Sequence, residues 1–147
     1  MSYLIDTHVL LWWLFNDPKL CTVSRDIISD PAHRILVSSA SAWEIATKYR
    51  IGKLPEAEPL LSDYQGFLRK MGFAELAITS RHALKAGNLA IAHRDPFDRM
   101  LMAQAELESV PIITYDKAFL IGNVQIIPSA ISFSCEIDDK NNTNDNV

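Results

Sequence analysis

Apolar positions along this chain fall into short continuous runs separated by stretches with helical spacing. The runs cover residues 3–5, 34–38, 74–78, 111–115 and 124–127, and each reads as a buried strand. Between them, apolar residues at three- and four-residue intervals predict helices over 8–15, 24–29, 41–50, 59–71, 80–88 and 95–109. Gly52 and Gly72 close the third and fourth of these, and Asp17-Pro18 stops the first. Strands without polar alternation, each followed by a helix, predict a parallel sheet covered on both faces. The expected fold is therefore three-layer α/β/α, with a central parallel sheet of about five strands.

Composition narrows this picture. A chain of 147 residues with 48% apolar and 22% charged residues suits one domain. The last twelve residues, EIDDKNNTNDNV, are poor in apolar side chains, so we expect a domain over 1–135 and a disordered acidic, Asn-rich tail over 136–147. The two cysteines, Cys21 and Cys135, form neither a disulfide framework nor a zinc motif. The opening MSYLIDTH has no basic stretch before its apolar run, and the run at 9–15 is too short for a membrane span. A cytoplasmic protein without membrane contact is the expectation.

The position of the acids is more informative than their number. Asp6 follows the first strand, Glu44 opens the helix after the second, and Asp116 follows the fourth. Asp95 and Asp98 begin the long helix. In an open α/β sheet the loops at the carboxyl ends of strands share one edge, where ligands bind. Carboxylates gathered there repel one another, and a hard divalent cation such as Mg²⁺ or Mn²⁺ relieves that repulsion. Each acid also has a plain reading. Ser41 and Glu44 fit a capping box, Asp95-Pro96-Phe97-Asp98 fits an N-cap with Pro at the first helical position, and Asp116 fits a turn or a short-helix cap. Capping is a poorer account of Asp6, because Thr7 is available to cap the same helix.

The segments LIDTHVLLWW, SSASAWEIATK, HRDPFDRMLMAQA and IITYD, in that order, resemble the PIN-domain nucleases, and most of all the VapC-like toxins of type II toxin–antitoxin pairs. The resemblance spans residues 3–128. It implies that Asp6, Glu44, Asp98 and Asp116 are both the catalytic residues and the metal ligands of a Mg²⁺- or Mn²⁺-dependent endoribonuclease. A metal-activated water would attack the phosphodiester, with no covalent intermediate. Thr114 matches a Ser or Thr that contacts such a site, and Asp95 is an additional acid that we expect to cap its helix. Lys48, one turn after Glu44, either pairs with that carboxylate or reaches a phosphate. Arg94 and Arg99 are candidates for substrate contact, and His8 and His93 are secondary candidates. The resemblance further implies a homodimer and a small cognate antitoxin whose helix lies in a groove lined by the first helices, with Trp12 or Trp13 exposed to it.

Two other classes stand beside this reading. A non-catalytic PIN fold that binds RNA or protein would keep the architecture without the chemistry. A haloacid dehalogenase-type phosphatase needs a second Asp two residues after Asp6, where His8 stands, and a receiver domain needs a Lys after its last strand. The net charge of −4 does not exclude RNA. The tail holds four acids and one base, which leaves 13 bases and 14 acids in the domain. Without the four proposed ligands that body has 13 bases against 10 acids. It is mildly basic, which predicts modest, salt-sensitive RNA affinity.

Overall fold

The structure is a computed structural model that describes residues 1–128. Five strands form one sheet: β1 (Ser2–Ile5), β2 (Arg34–Ser38), β3 (Ala74–Leu76), β4 (Ile112–Ile113) and β5 (Ile126–Ile127). Their order is β3-β2-β1-β4-β5, with every pairing parallel. Seven α-helices surround it: α1 (Thr7–Leu14), α2 (Thr22–Ser29), α3 (Ser39–Arg50), α4 (Glu58–Ser62), α5 (Tyr64–Met71), α6 (Ser80–Asn88) and α7 (Pro96–Leu107).

Two-residue alternation along the strands splits the core between the two faces. Tyr3, Ile5, Ile35, Val37 and Ile113 point to one face, where Val9 and Leu10 of α1, Ile28 of α2, Ile45 of α3, Leu60 of α4 and Leu68 of α5 cover them. Leu4, Leu36 and Ile112 point to the other, under Leu101, Met102 and Ala105 of α7 and Phe119. Helix α6 packs on α7. This is the three-layer arrangement expected, and both sheet faces are dry because the strands carry apolar residues on both.

Several boundaries differ from the pattern reading. The helix expected over 59–71 is two helices. Asp63 adopts an extended φ of −151° and its carboxylate accepts the Gly66 amide, so it stops α4 and caps α5. The second strand runs into α3 without a loop: Ser38 is the cap and Ser39 already helical. The strands expected over 111–115, 74–78 and 124–127 pair over shorter spans. The expected tail over 136–147, the domain end at 135 and Cys135 lie outside the described residues.

Topology fixes where a ligand can sit. The chain builds outward from β1 to β2 and β3, then crosses back to add β4 on the other side of β1. The order therefore reverses between β1 and β4, and the crevice at their carboxyl ends is the expected binding position in such a sheet. Ile5 pairs with both Val37 and Ile113, so the next residues, Asp6, Ser38 and Thr114, stand level across three adjacent strand ends.

Candidate active site

Protein interiors rarely hold many polar side chains, and here they are concentrated. Among the described residues nine polar or charged ones are buried, and six of them stand at or beside this edge: Asp6, Thr7, Ser38, Ser41, Glu44 and Thr114. Three are small hydroxyl residues from the β1 and β2 ends whose placement the sequence reading missed. The SSAS segment was the available signal, because small polar residues let strand ends and helix starts approach closely.

Asp6 is the most constrained acid, with 4% of its surface exposed. One carboxylate oxygen accepts the Val9 amide at 2.8 Å, so Asp6 itself caps α1. Capping, expected to be the poorer account of Asp6, is thus one of its roles: Thr7, which was available as a cap, is already helical, and its hydroxyl donates to Ser41 Oγ at 3.0 Å, tying α1 to α3. The other Asp6 oxygen accepts a short hydrogen bond from Thr114 Oγ1 across the crevice. Thr114 Oγ1 in turn accepts the Asp116 amide at 3.1 Å. Burial pushes the Asp6 carboxyl up to about 6, against the lowering effect of these hydrogen bonds and of His8, while Asp98 raises it further.

Glu44 is also only 4% exposed. The capping box expected from Ser41 and Glu44 does not form, because α3 begins two residues earlier than the pattern suggested. Glu44 projects instead from the second turn, with Lys48 Nζ 2.6 Å from its Oε2. Asp98 sits three positions into α7, and its Oδ2 lies 2.7 Å from His93 Nε2. Burial raises the Asp98 carboxyl, the His93 contact lowers it, and Asp95, Asp116 and Glu44 each raise it again. Asp98 thus feels the charge of the other acids on its side of the crevice, and Asp6 feels Asp98. Asp95 accepts the Phe97 and Asp98 amides as the cap of α7, with Pro96 in the first helical position. Asp116 is exposed and caps a short 3₁₀ segment over Lys117–Ile121.

All four acids therefore reach one sheet edge. The donor set is entirely carboxylate and hydroxyl oxygen, which suits a hard divalent cation. As the side chains stand, no group of three or more His, Cys, Asp and Glu among the described residues is poised around a single ion. Glu44 is turned to Lys48 and Asp98 to His93. The donor chemistry fits such an ion.

Arg99 has a different role from the substrate contact considered for it. Its Nε donates to Ala86 O, one terminal nitrogen to Ile91 O and His93 O, and the other to Gly87 O and Leu89 O. The guanidinium thus serves the last carbonyls of α6 and gathers the segment that carries His93. Arg94 remains exposed. Trp12 and Trp13 are half-buried against the core; the Trp12 ring meets Tyr115 at 5.2 Å and the Trp13 ring Phe73 at 6.4 Å. Among the described residues the aromatic side chain left most open is one that the sequence reading passed over, Trp43, which is 62% exposed.

A family model described as PIN domain matches residues 3–121. The chain belongs to the PIN-domain family. It is 44% identical over 59 residues to ribonuclease VapC16 of Mycobacterium tuberculosis, a match spanning 40% of this chain and 42% of that protein. Among solved structures it resembles VapBC2 from Rickettsia felis, determined with a DNA fragment from the promoter (TM-score 0.64, 16% identity, 86% of this chain and 97% of that one). It also resembles FitAcB from Neisseria gonorrhoeae (TM-score 0.61, 18% identity, 84% and 95%) and VapBC-1 from nontypeable Haemophilus influenzae (TM-score 0.57, 19% identity, 86% and 96%). At these identities the structural likeness is one of fold. Among the described residues no helix is long and apolar enough to cross a membrane.

Two outcomes follow from this geometry. The unfolded chain ionises Asp6 near 3.8 and the folded chain near 6, so folding takes up a proton between those values. Any stability Asp6 contributes is complete below the lower value and lost as pH rises through the upper one. Asp6→Asn keeps the cap without the buried charge. In chelator it should be more stable than wild type by about 1–3 kcal/mol at pH 7.5, with the difference shrinking toward pH 4, as read from urea titrations. Arg99→Lys replaces five fixed donors by three on one atom. It should cost about 2 kcal/mol or more and raise amide exchange in residues 86–95; unchanged exchange there would refute the carbonyl clamp.

Proposed function

We propose that this chain is a divalent-metal-dependent endoribonuclease and the toxin of a toxin–antitoxin pair. The observation that carries the reading is the convergence of four acids at the reversal point of a PIN-family sheet, two of them with raised carboxyl pKa values. Asp6, Glu44, Asp98 and Asp116 would hold Mg²⁺ or Mn²⁺. Such an ion, when bound, supplies a more acidic water for in-line attack on a phosphodiester and stabilises charge on the departing oxygen.

The chain's own groups prepare that site. The Val9 amide and the Thr114 hydroxyl fix both oxygens of Asp6, so its orientation does not depend on the ion. Thr114 passes the constraint on to the Asp116 backbone. Lys48 Nζ pairs with Glu44, and His93 Nε2 lies within hydrogen-bond distance of Asp98. The expected partners are an RNA substrate, a small cognate antitoxin lying over the α1 groove beside Trp12 or Trp13, and a second copy of the chain, in the cytoplasm. The similarity to ribonuclease VapC16 and the toxin–antitoxin complexes among the fold's neighbours support these assignments.

A second reading is favoured by one observation: Glu44 and Asp98 are already paired, with Lys48 and His93. On that reading the chain is a non-catalytic PIN fold that binds RNA or protein. Purified protein freed of any antitoxin separates the two. A ribonuclease cleaves RNA with Mn²⁺ or Mg²⁺ and not in chelator, and Asp6→Asn and Asp116→Asn each lose about 100-fold or more, the scale of removing one preorganised charge-stabilising group. Mn²⁺ should also raise the melting temperature of wild type and leave that of Asp6→Asn unmoved, because an ion bound only by the folded state stabilises it. RNA binding without metal-dependent cleavage would establish the module instead.

A further inference from the structure

We propose that Trp43 and Phe97 form a stacking platform for one unpaired base of the RNA, seated beside the acids. This rests on reading the site as one that receives RNA.

The placement is specific. Trp43 immediately precedes Glu44 on α3, and Phe97 immediately precedes Asp98 on α7. The two helices pack together, and their rings meet edge to face, 4.7 Å between centroids at 75°. Both residues stand near the starts of their helices, at the sheet edge that carries the acids. Phe97 is half-buried and anchors the pair, whereas Trp43 leaves 62% of its surface open. A large indole left in water and fixed by a neighbouring ring forgoes burial within its own chain and is already ordered for a ligand.

Charge at this edge says what kind of ligand that is. Repulsion from the acids opposes a phosphate backbone, and two of the nearby cations are engaged, while Arg94 and Lys117 stay exposed. Lys48 is paired with Glu44, and all five Arg99 donors are spent on carbonyls. Base stacking, which every base offers, retains RNA without depending on the sign of the local charge. Within duplex RNA the base faces are already stacked on one another, so the platform selects an unpaired segment.

The test uses full-length protein and a fluorescent single-stranded RNA oligonucleotide, bound in chelator and cleaved in Mn²⁺. Trp43→Ala should weaken binding by about tenfold to a hundredfold, and Trp43→Phe should keep most of the affinity. The dependence of affinity on salt should not change, because no phosphate contact is lost. In cleavage, KM should rise with kcat nearly unchanged. One abasic position in the oligonucleotide should reproduce the loss and add nothing to Trp43→Ala. Unchanged affinity and KM in Trp43→Ala would overturn the platform while leaving the ribonuclease reading intact. So would loss of self-association at constant RNA affinity, which would assign the ring pair to a protein interface. Wild-type protein that neither binds nor cleaves RNA would overturn both readings, and wild-type protein that binds without cleaving would still measure the platform through affinity.

Discussion

The structure turns on one buried carboxylate. Asp6 ends the central strand, caps the first helix and faces the reversal point of the sheet. It sits in a low-dielectric position that a charge occupies only at a cost, and that cost is met in part by an amide on one side and a hydroxyl on the other. Those two hydrogen bonds dictate much around them. The Val9 amide is available because α1 begins at once after β1. The Thr114 hydroxyl is available because β4 pairs directly with β1, in a register that sets Thr114 opposite Asp6. Moving β4 by one residue would turn Thr114 to the other face and leave the carboxylate without its second partner.

The remaining acids are managed differently. Asp6 is held by groups of its immediate framework and keeps its place in any state of the site. Glu44 and Asp98 meet side chains instead, Lys48 and His93. His93 depends in turn on a segment gathered by Arg99. A guanidinium can do this because its five donors are planar and fixed, and the carbonyls at the end of α6 converge on it. Arg99 therefore acts on the acids at one remove, through the loop it organises.

How much of this was legible beforehand follows from the physics of each element. Apolar runs disclosed the parallel sheet because burial on both faces leaves no polar alternation to confuse. Asp6, Glu44 and Asp116 were legible at the carboxyl edge because strand ends are readable, whereas Asp98 was singled out from Asp95 by the resemblance to PIN-domain sequences. Helix starts were less so. Ser41 matched a capping pattern, yet the helix begins at Ser39, since Ser38 at the strand end already supplies the cap; Ser41 went instead to Thr7. Asp63 broke a helix whose apolar spacing ran straight through it. The role of Arg99 was hidden because its partners are backbone carbonyls, which carry no residue signature. Trp43 was hidden because an aromatic beside Ile45 reads as core until the structure shows which of them is open.

Solved structures of the same fold at 16–19% identity show how little of the chain this arrangement constrains. Most positions need only be apolar and of suitable size, because packing tolerates exchange when volume and pattern are kept. The edge residues have no such freedom. Asp6 is tied to the Val9 amide and the Thr114 hydroxyl, and both ties depend on helix start and strand register.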